Sequence, residues 1–427
     1  MTEEDLDRVI ESFGSFHSSF ADCFGRKEAR AHCGDYVRGL LVQSGDRRNA
    51  ENLSDVVPAS ARALQRFLTD CHWDDRLVTG RLQQYMSSRL QHPDAVWAVD
   101  DSGFIKQGKM SAGVARQYSG TIGKIGNCQI GVFLGYITPN AHLLVDKELY
   151  LPGQWCESPE RCERAGIPEE ARGYATKHEL ALRQLRRARE LGHLRADWVT
   201  GDDAYGESPS FRNALDAEGF LFVLEVPKST PVWPVEVIWE TAQYCGTGRP
   251  PEPQPADGQR HTVEQHAQAL PPSAWRELTV AEGAQGPMRY LFACERVRES
   301  HDKEPGKEYW LVHRRNLDGG EPRYYFSNAP VTTPLETLAR VASMRWPIET
   351  EFEDAKGFTG LDEYEVRSWA GWHHHITLCL LANAFLLTLQ EDWKKKSAPD
   401  HAAASLPDRS RDTAARALDT RRSSVLA

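Results

Sequence analysis

Apolar residues recur every three or four positions in DLDRVIESFGSFHSSF, ARALQRFLTDCHW and RLVTGRLQQYMSSRL, so residues 1–92 read as a helical N-terminal domain. Ser60, after the turn signal VVPAS, is a candidate cap for the second of these helices. The texture then changes. AVWAVDD is a short apolar run halted by two carboxylates, Asp100 and Asp101, the pattern of a buried strand that ends by delivering side chains to a sheet edge. NCQIGVFLGYIT and AHLLVDKELYLPG flank the Pro139-Asn140 turn and predict an antiparallel hairpin. A strong helical pattern, ATKHELALRQLRRARELG, precedes ADWVTGDDAYG, a second apolar strand that stops at an Asp pair, Asp202 and Asp203. The helix SPSFRNALDAEG and the strand FLFVLEVP follow.

From 228 to 330 the chain turns to proline- and glycine-rich connections and aromatic β-like runs such as YWLVHRR and RYYFSNAP, which read as an inserted β-rich subdomain. Helical spacing returns in TPLETLARVASMRW and WHHHITLCLLANAFLLTLQ. The expected organisation is therefore an α/β core of residues 93–227 and 331–391, interrupted by 228–330. Residues 392–427, rich in Ala, Ser, Asp and Arg, read as a flexible tail.

A hydrophobic share of 40% and a charged share of 26% are those of a soluble globular protein. No apolar run approaches the roughly 20 residues that span a bilayer, and the acidic start MTEEDLDRVI is unlike a signal peptide. A cytoplasmic protein with no membrane partner is expected. The nine cysteines include no zinc-type spacing and read as reduced thiols. A net charge of −10 argues, taken alone, against a nucleic-acid partner. Distribution changes that picture: no Asp or Glu occurs from Gly103 to Val145, whereas Lys106, Lys109, Arg116 and Lys124 fall within it. This is a local positive surface, its plainer alternative being a solvated loop and hairpin.

RWPIETEFEDAKG, Arg345 to Gly357, adds chemistry. Glu349 and Lys356 are seven residues apart, within about 20° of one helix face and about two turns from each other. Pro347 suits a first turn, which puts Arg345 at or before the helix start, and Ile348, Phe352 and Ala355 supply a buried stripe. An amphipathic surface helix with scattered charges is the plainer alternative. Together with Asp100 and Asp202, each at the end of a predicted strand, Glu349 forms a candidate carboxylate cluster. Such a cluster is costly without cations, and hard oxygen ligands suit Mg²⁺ or Mn²⁺. Two ions about 3.5–4 Å apart can activate a water or a 3′-hydroxyl and stabilise the leaving oxygen of a phosphodiester.

On these residues the chain resembles the DDE transposases of bacterial insertion sequences, over roughly Trp97 to Leu389. VDDSG resembles the family's first-strand Asp with its Ser partner, GDDAYG its Asp-x-x-Tyr, and RWPIETEFEDAK its Arg-x3-Glu-x6-Lys. The resemblance implies an RNase H-like mixed-sheet core with a β-rich insertion. It also implies catalytic, metal-binding roles for Asp100, Asp202 and Glu349 with two Mg²⁺ ions, Mn²⁺ being a possible substitute. Ser102 and Tyr205 select Asp100 and Asp202 over Asp101 and Asp203. Arg345 and Lys356 are expected on DNA phosphate, and Trp310 of the insertion as a stacking platform for a displaced base, its alternative being a buried strand aromatic. The implied partners are double-stranded DNA, as terminal inverted repeats and target, and a second copy of the chain on paired ends. Cut-and-paste transposition is the implied activity. The family's tyrosine three residues before the Arg is absent, the position being Ala342, which keeps open a transposase-derived DNA-binding regulator without catalysis.

Two further motifs point elsewhere. GFIKQGKM, Gly103 to Met110, is a near miss to a phosphate-binding loop, with Met110 in place of Ser or Thr. His373, His374 and His375 are consecutive on a predicted helix and point in different directions, which suits packing or phosphate contact better than a metal cage.

Overall fold

In the computed structural model, which describes residues 3–243, 249, 251–283 and 286–397, the amphipathic N-terminal segments fold as helices α1 (Glu3–Ser18), α2 (Lys27–Val42), α3 (Ala50–Leu53), α4 (Ala61–Thr69) and α5 (Asp75–Leu90). Ser60 caps α4, its hydroxyl accepting from the Ala63 amide at 3.3 Å, and the Asp74 carboxylate caps α5. Each cap satisfies an orphan N–H and is worth about 1 kcal/mol. The chain forms two compact units, the first made of Met1–Ala95, Val99–Arg195 and Trp346–Ala427, the second of Val96–Ala98 and Ala196–Arg345.

The sheet of the first unit is built on β1 (Val96–Ile105), β2 (Ala115–Ser119), β3 (Lys124–Ile137) and β4 (His142–Leu149). β3 pairs antiparallel with β2 and β4 and lies beside β1. It is buried continuously from Cys128 to Ile137, so it reads as an unbroken apolar run rather than as an alternation. The predicted turn at Pro139-Asn140 closes with the Thr138 amide donating to the Ala141 carbonyl at 2.8 Å. β1 departs from expectation: it does not stop at its Asp pair but runs on to Ile105. Gly103 permits this, because a Cβ there would sit 2.0 Å from Ser119 Oγ on β2. The short helices α6 (Gly153–Cys156) and α7 (Pro159–Arg164) lead to α8 (Lys177–Leu191). A reciprocal Thr176–Glu179 capping box starts α8, and Gly192, at φ 65°, ends it.

The second unit opens with β5 (Trp198–Gly201), α9 (Asp203–Gly206), α10 (Pro209–Ala217) and β6 (Leu221–Val226), and here the strands are parallel, with Thr200 opposite Val223. Then come β7 (Pro231–Pro234), the small ladder of β8 (Trp239–Glu240) and β9 (Gln254–Pro255), β10 (His261–Thr262) and α11 (Val263–Ala269). β11 (Arg276–Gly283), β12 (Gly286–His301), β13 (Glu304–Asn316), β14 (Arg323–Ser327) and α12 (Leu335–Ser343) complete the unit. The strands of residues 228–330 do not close on themselves. β14 pairs antiparallel with β6, Phe326 facing Leu224, so the order β10-β7-β12-β13-β14-β6-β5 is a single sheet with β11 on the flank of β12.

The chain returns to the first unit with α13 (Trp346–Thr359) and α14 (Trp369–Ser397). α14 is buried from Gly371 to Leu389 and packs on α2, α4, α5 and β4. Its apolar length is that of a helix enclosed on all sides. No described helix is long and apolar enough to cross a membrane. α14 also carries through 392–397, where the sequence suggested the tail begins, because nothing in EDWKKK breaks a helix; residues 398–427 lie outside the described residues.

Candidate active site

β1 turns successive side chains to opposite faces, which separates the two carboxylates of its Asp pair. Asp101 is held by Lys177 at the start of α8, with Nζ 2.8 Å from Oδ2. Asp100, half-buried on the other face, accepts the Asp101 amide at 2.7 Å. Its alternate neighbour Ser102 is buried. The sequence offered no means of seeing the Lys177 partnership, which assigns Asp101 to holding α8 on the strand.

Asp202 lies in the second unit. It follows β5 directly and caps α9, accepting the Tyr205 amide at 3.3 Å. Tyr205 is buried and packs on Phe211 with the rings tilted, their centroids 5.5 Å apart. Gly206 explains the second glycine of GDDAYG, since a Cβ there would lie 1.8 Å from the Glu225 carbonyl oxygen on β6. Asp203 is exposed on α9. Arg345 belongs to this unit as well. Its Nε lies 3.3 Å from Glu225 Oε2, and Arg323 binds the other oxygen of the same buried carboxylate. Glu225 is a partner that the sequence pattern of β6 did not reveal.

In the first unit, Pro347 does occupy the first turn of α13, and Ile348, Phe352 and Ala355 are buried as their spacing required. Glu349 is half-buried in that turn. Two turns later the Lys356 ammonium lies 3.4 Å from Thr121 Oγ1, and Thr121 donates to the Gly103 carbonyl on β1 at 3.2 Å. Burial lowers the Lys356 pKa, while the negative charges of Asp362, Asp100 and Glu353 oppose that shift. The lysine thus shares electrostatic space with Asp100.

Next to it a cavity of ≈ 780 Å³ is lined by Arg47, Lys106, Thr121, Asp362 and Arg367, among others. Lys106 lies 3.5 Å from the Tyr364 ring centroid and donates to the Tyr364 carbonyl at 3.1 Å. Burial pulls its pKa down to about 8, against the attraction of Asp362 and Glu365. Lys109, Arg116 and Lys124 are exposed on the loop and hairpin around β2. Gly103–Ile105 is strand and no helix follows Lys109, which removes the context a phosphate-binding loop requires.

Trp310 is half-buried on β13. Its indole N–H donates to the Pro330 carbonyl at 3.1 Å, and the Arg296 guanidinium sits 5.1 Å from its ring centroid. The three histidines of α14 are buried packing residues. His374 stacks on Trp73 at 3.8 Å, and His375 Nδ1 meets the Tyr36 hydroxyl at 2.9 Å. Burial lowers the pKa of His373 and of His375 to about 3.

The carboxylates of Asp100 and Glu349 in the first unit and of Asp202 in the second are hard oxygen donors, the kind that suits Mg²⁺ and Mn²⁺. Among the described residues, a group that was not foreseen gathers its donors: His142 on β4 and Glu351 and Asp354 on α13 bring one ligand atom each to within 4.8 Å of one another. Glu351 is buried, with Oε2 3.7 Å from His142 Nε2. Glu351 lies two residues from Glu349 and therefore on a different helix face. The signal available in the sequence was the carboxylate pair at i and i+3.

Residues 19–287 match the family model described as DDE superfamily endonuclease. The chain is 28% identical over 199 residues to a probable transposase for insertion sequence element IS701 from Microchaete diplosiphon, an alignment covering 45% of this chain and 47% of the relative. It thus spans about half the length of that relative. A cryo-electron microscopy structure of a piggyBac transposase synaptic complex with hairpin DNA is similar with a TM-score of 0.41 and 10% identity, over 100% of this chain and 80% of the other. The NurA nuclease of Sulfolobus solfataricus gives a TM-score of 0.28 at 10% identity, over 76% of this chain and 95% of the other.

Proposed function

As the chain belongs to the DDE superfamily of endonucleases, we propose that it is a DNA transposase that cleaves at the ends of its element and joins the freed 3′-hydroxyl to target DNA. The observation that most supports this reading is the order of three carboxylates in a chain of that family. Asp100 lies on β1, Asp202 directly after β5 and Glu349 in the first turn of α13. The 28% identity to a probable insertion-sequence transposase supports the same class of reaction.

In this reading Asp100, Asp202 and Glu349 hold two divalent ions, Mg²⁺ or Mn²⁺. When bound, these supply charge stabilisation and a nucleophile activated at neutral pH. Asp101, tied to Lys177, fixes the strand so that Asp100 faces the reacting phosphate. Lys356, held near Asp100 by burial and by Thr121, places a positive charge beside the phosphate of the scissile bond. Arg345, oriented by Glu225, contacts the adjoining DNA backbone. Lys106, Lys109, Arg116 and Lys124 extend the path of the DNA along the first unit, and Trp310 stacks on a displaced base. Two copies of the chain work on paired inverted ends.

The test is strand cleavage and strand transfer with Mg²⁺ on DNA that carries the sequences flanking the gene. Glu349→Gln is expected to abolish both steps while leaving DNA binding within about twofold, because the amide keeps the size of the carboxylate and removes only its charge. Cleavage by Glu349→Gln at the wild-type rate would remove Glu349 from the reaction.

A further inference from the structure

The positive face of the β2–β3 hairpin has a shape that phosphate contact alone does not explain. In the antiparallel register Arg116 faces Asn127 and Tyr118 faces Ile125. Residues opposite each other, and those two apart on one strand, share a face. Arg116, Tyr118, Ile125 and Asn127 therefore form one strip. Tyr118 is 62% exposed and Ile125 61%, so the strip ends in an open aromatic and aliphatic pair.

Arg116 and Asn127 continue into a cavity of ≈ 580 Å³ whose other walls include Lys109, Trp155, Arg161 and Arg164, with no carboxylate among its lining residues. This cation cluster is held in place. The Arg161 guanidinium lies 3.7 Å from the centroid of the Trp155 ring and donates to the Lys109 carbonyl at 3.0 Å and the Val114 carbonyl at 3.3 Å. Trp155 is itself buried and anchored by its indole N–H to the Val114 carbonyl at 2.8 Å. Arg164 is exposed at the rim. All of these residues belong to the first unit.

A stacking surface that runs into a positive groove is the arrangement that recognises an unpaired nucleic-acid strand, whose bases are open to a π-face and whose backbone is a line of anions. Duplex DNA offers the anions but keeps its bases stacked. We propose that the Tyr118–Ile125 strip and the Arg116, Arg161 and Arg164 cavity bind single-stranded DNA, with a base on Tyr118 and the adjoining phosphates in the cavity. The proposal rests on the reading that the chain works on DNA, and it assigns the unpaired strand to a place outside the carboxylate cluster.

The experiment measures the affinity of the full chain for a fluorescent oligothymidylate and for a duplex of the same length, across a series of salt concentrations. Tyr118→Ala is expected to weaken oligothymidylate binding about tenfold and duplex binding less than about twofold, the loss of one base stack. Tyr118→Phe restores the affinity. Arg164→Ala lowers the salt slope for the single strand by about 0.7, one phosphate contact. Both residues are exposed, and melting temperatures of the variants check that the fold is intact. Equal losses for single strand and duplex on Tyr118→Ala, no loss on either, or an unchanged salt slope for Arg164→Ala would overturn the proposal. The result separates from that of the cleavage assay. Wild-type cleavage without preference for Tyr118 removes this site alone, whereas a Tyr118-dependent single-strand site in a chain that cleaves nothing removes the transposase reading alone.

Discussion

Lys106 shows how burial sets the task of a single charge. Its amine has an ordinary value near 10.4, and burial brings it to about 8. In the proposed contact with DNA, neighbouring phosphates favour the charged amine and would raise that value again. DNA affinity should then fall as pH rises through about 8, and Lys106→Arg should flatten that fall because arginine stays charged. Fluorescence anisotropy at constant ionic strength reads the difference. Asp101 carries the opposite expectation: Asp101→Asn loses a partly exposed ion pair with Lys177, costs about 1 kcal/mol of stability or less, and keeps cleavage within tenfold. Gly206→Ala forces a Cβ against the Glu225 carbonyl. It should destabilise by about 3 kcal/mol, visible as a lower denaturant midpoint. The sequence could separate Asp100 from Asp101 only through the resemblance of Ser102 to a motif. What distinguishes them physically, a lysine 76 positions away, leaves no trace in local spacing.

At the scale of elements, α14 carries a pH dependence. His373 and His375 are buried neutral, with pKa values near 3, against about 6.5 in the unfolded chain. Between those values the unfolded state binds more protons, so stability is full above about 6.5 and falls as pH drops toward 3, by up to about 1.4 kcal/mol per pH unit for each histidine. The groups around them act in the same direction, since Asp75 pairs with Lys147, whose charge outweighs the cost of burial and holds the carboxyl low. Thermal melts from pH 7 to pH 4 should show the loss, and His375→Gln should reduce its steepness. The helices were legible because 3.6-residue periodicity and caps such as Ser60 and Thr176 are local signals. The length of β1 was not: the charges of Asp100 and Asp101 look like a strand end. Only their partners, and the room that Gly103 leaves for Ser119, let the strand continue. The continuation of residues 228–330 into the β5–β6 sheet was equally hidden, because the pairing of β14 with β6 joins positions about a hundred residues apart. The same limit applied to His142, whose two companions lie on α13.

At the scale of the molecule, Asp100, Glu349 and Lys356 lie in the first unit, and Asp202 and Arg345 lie in the second. The order of these residues along the chain could be read from short motifs. Their division between two units could not, because it follows from which strands pair. The central claim is that all three carboxylates act together on one phosphodiester. Its most direct test is the rate of end cleavage with Mg²⁺ by Asp100→Asn, Asp202→Asn and Glu349→Gln, each measured alone with DNA binding as the control. Each substitution should lower the rate on the order of a thousandfold or more while binding holds. A rate within tenfold of wild type for any one of the three would contradict the claim.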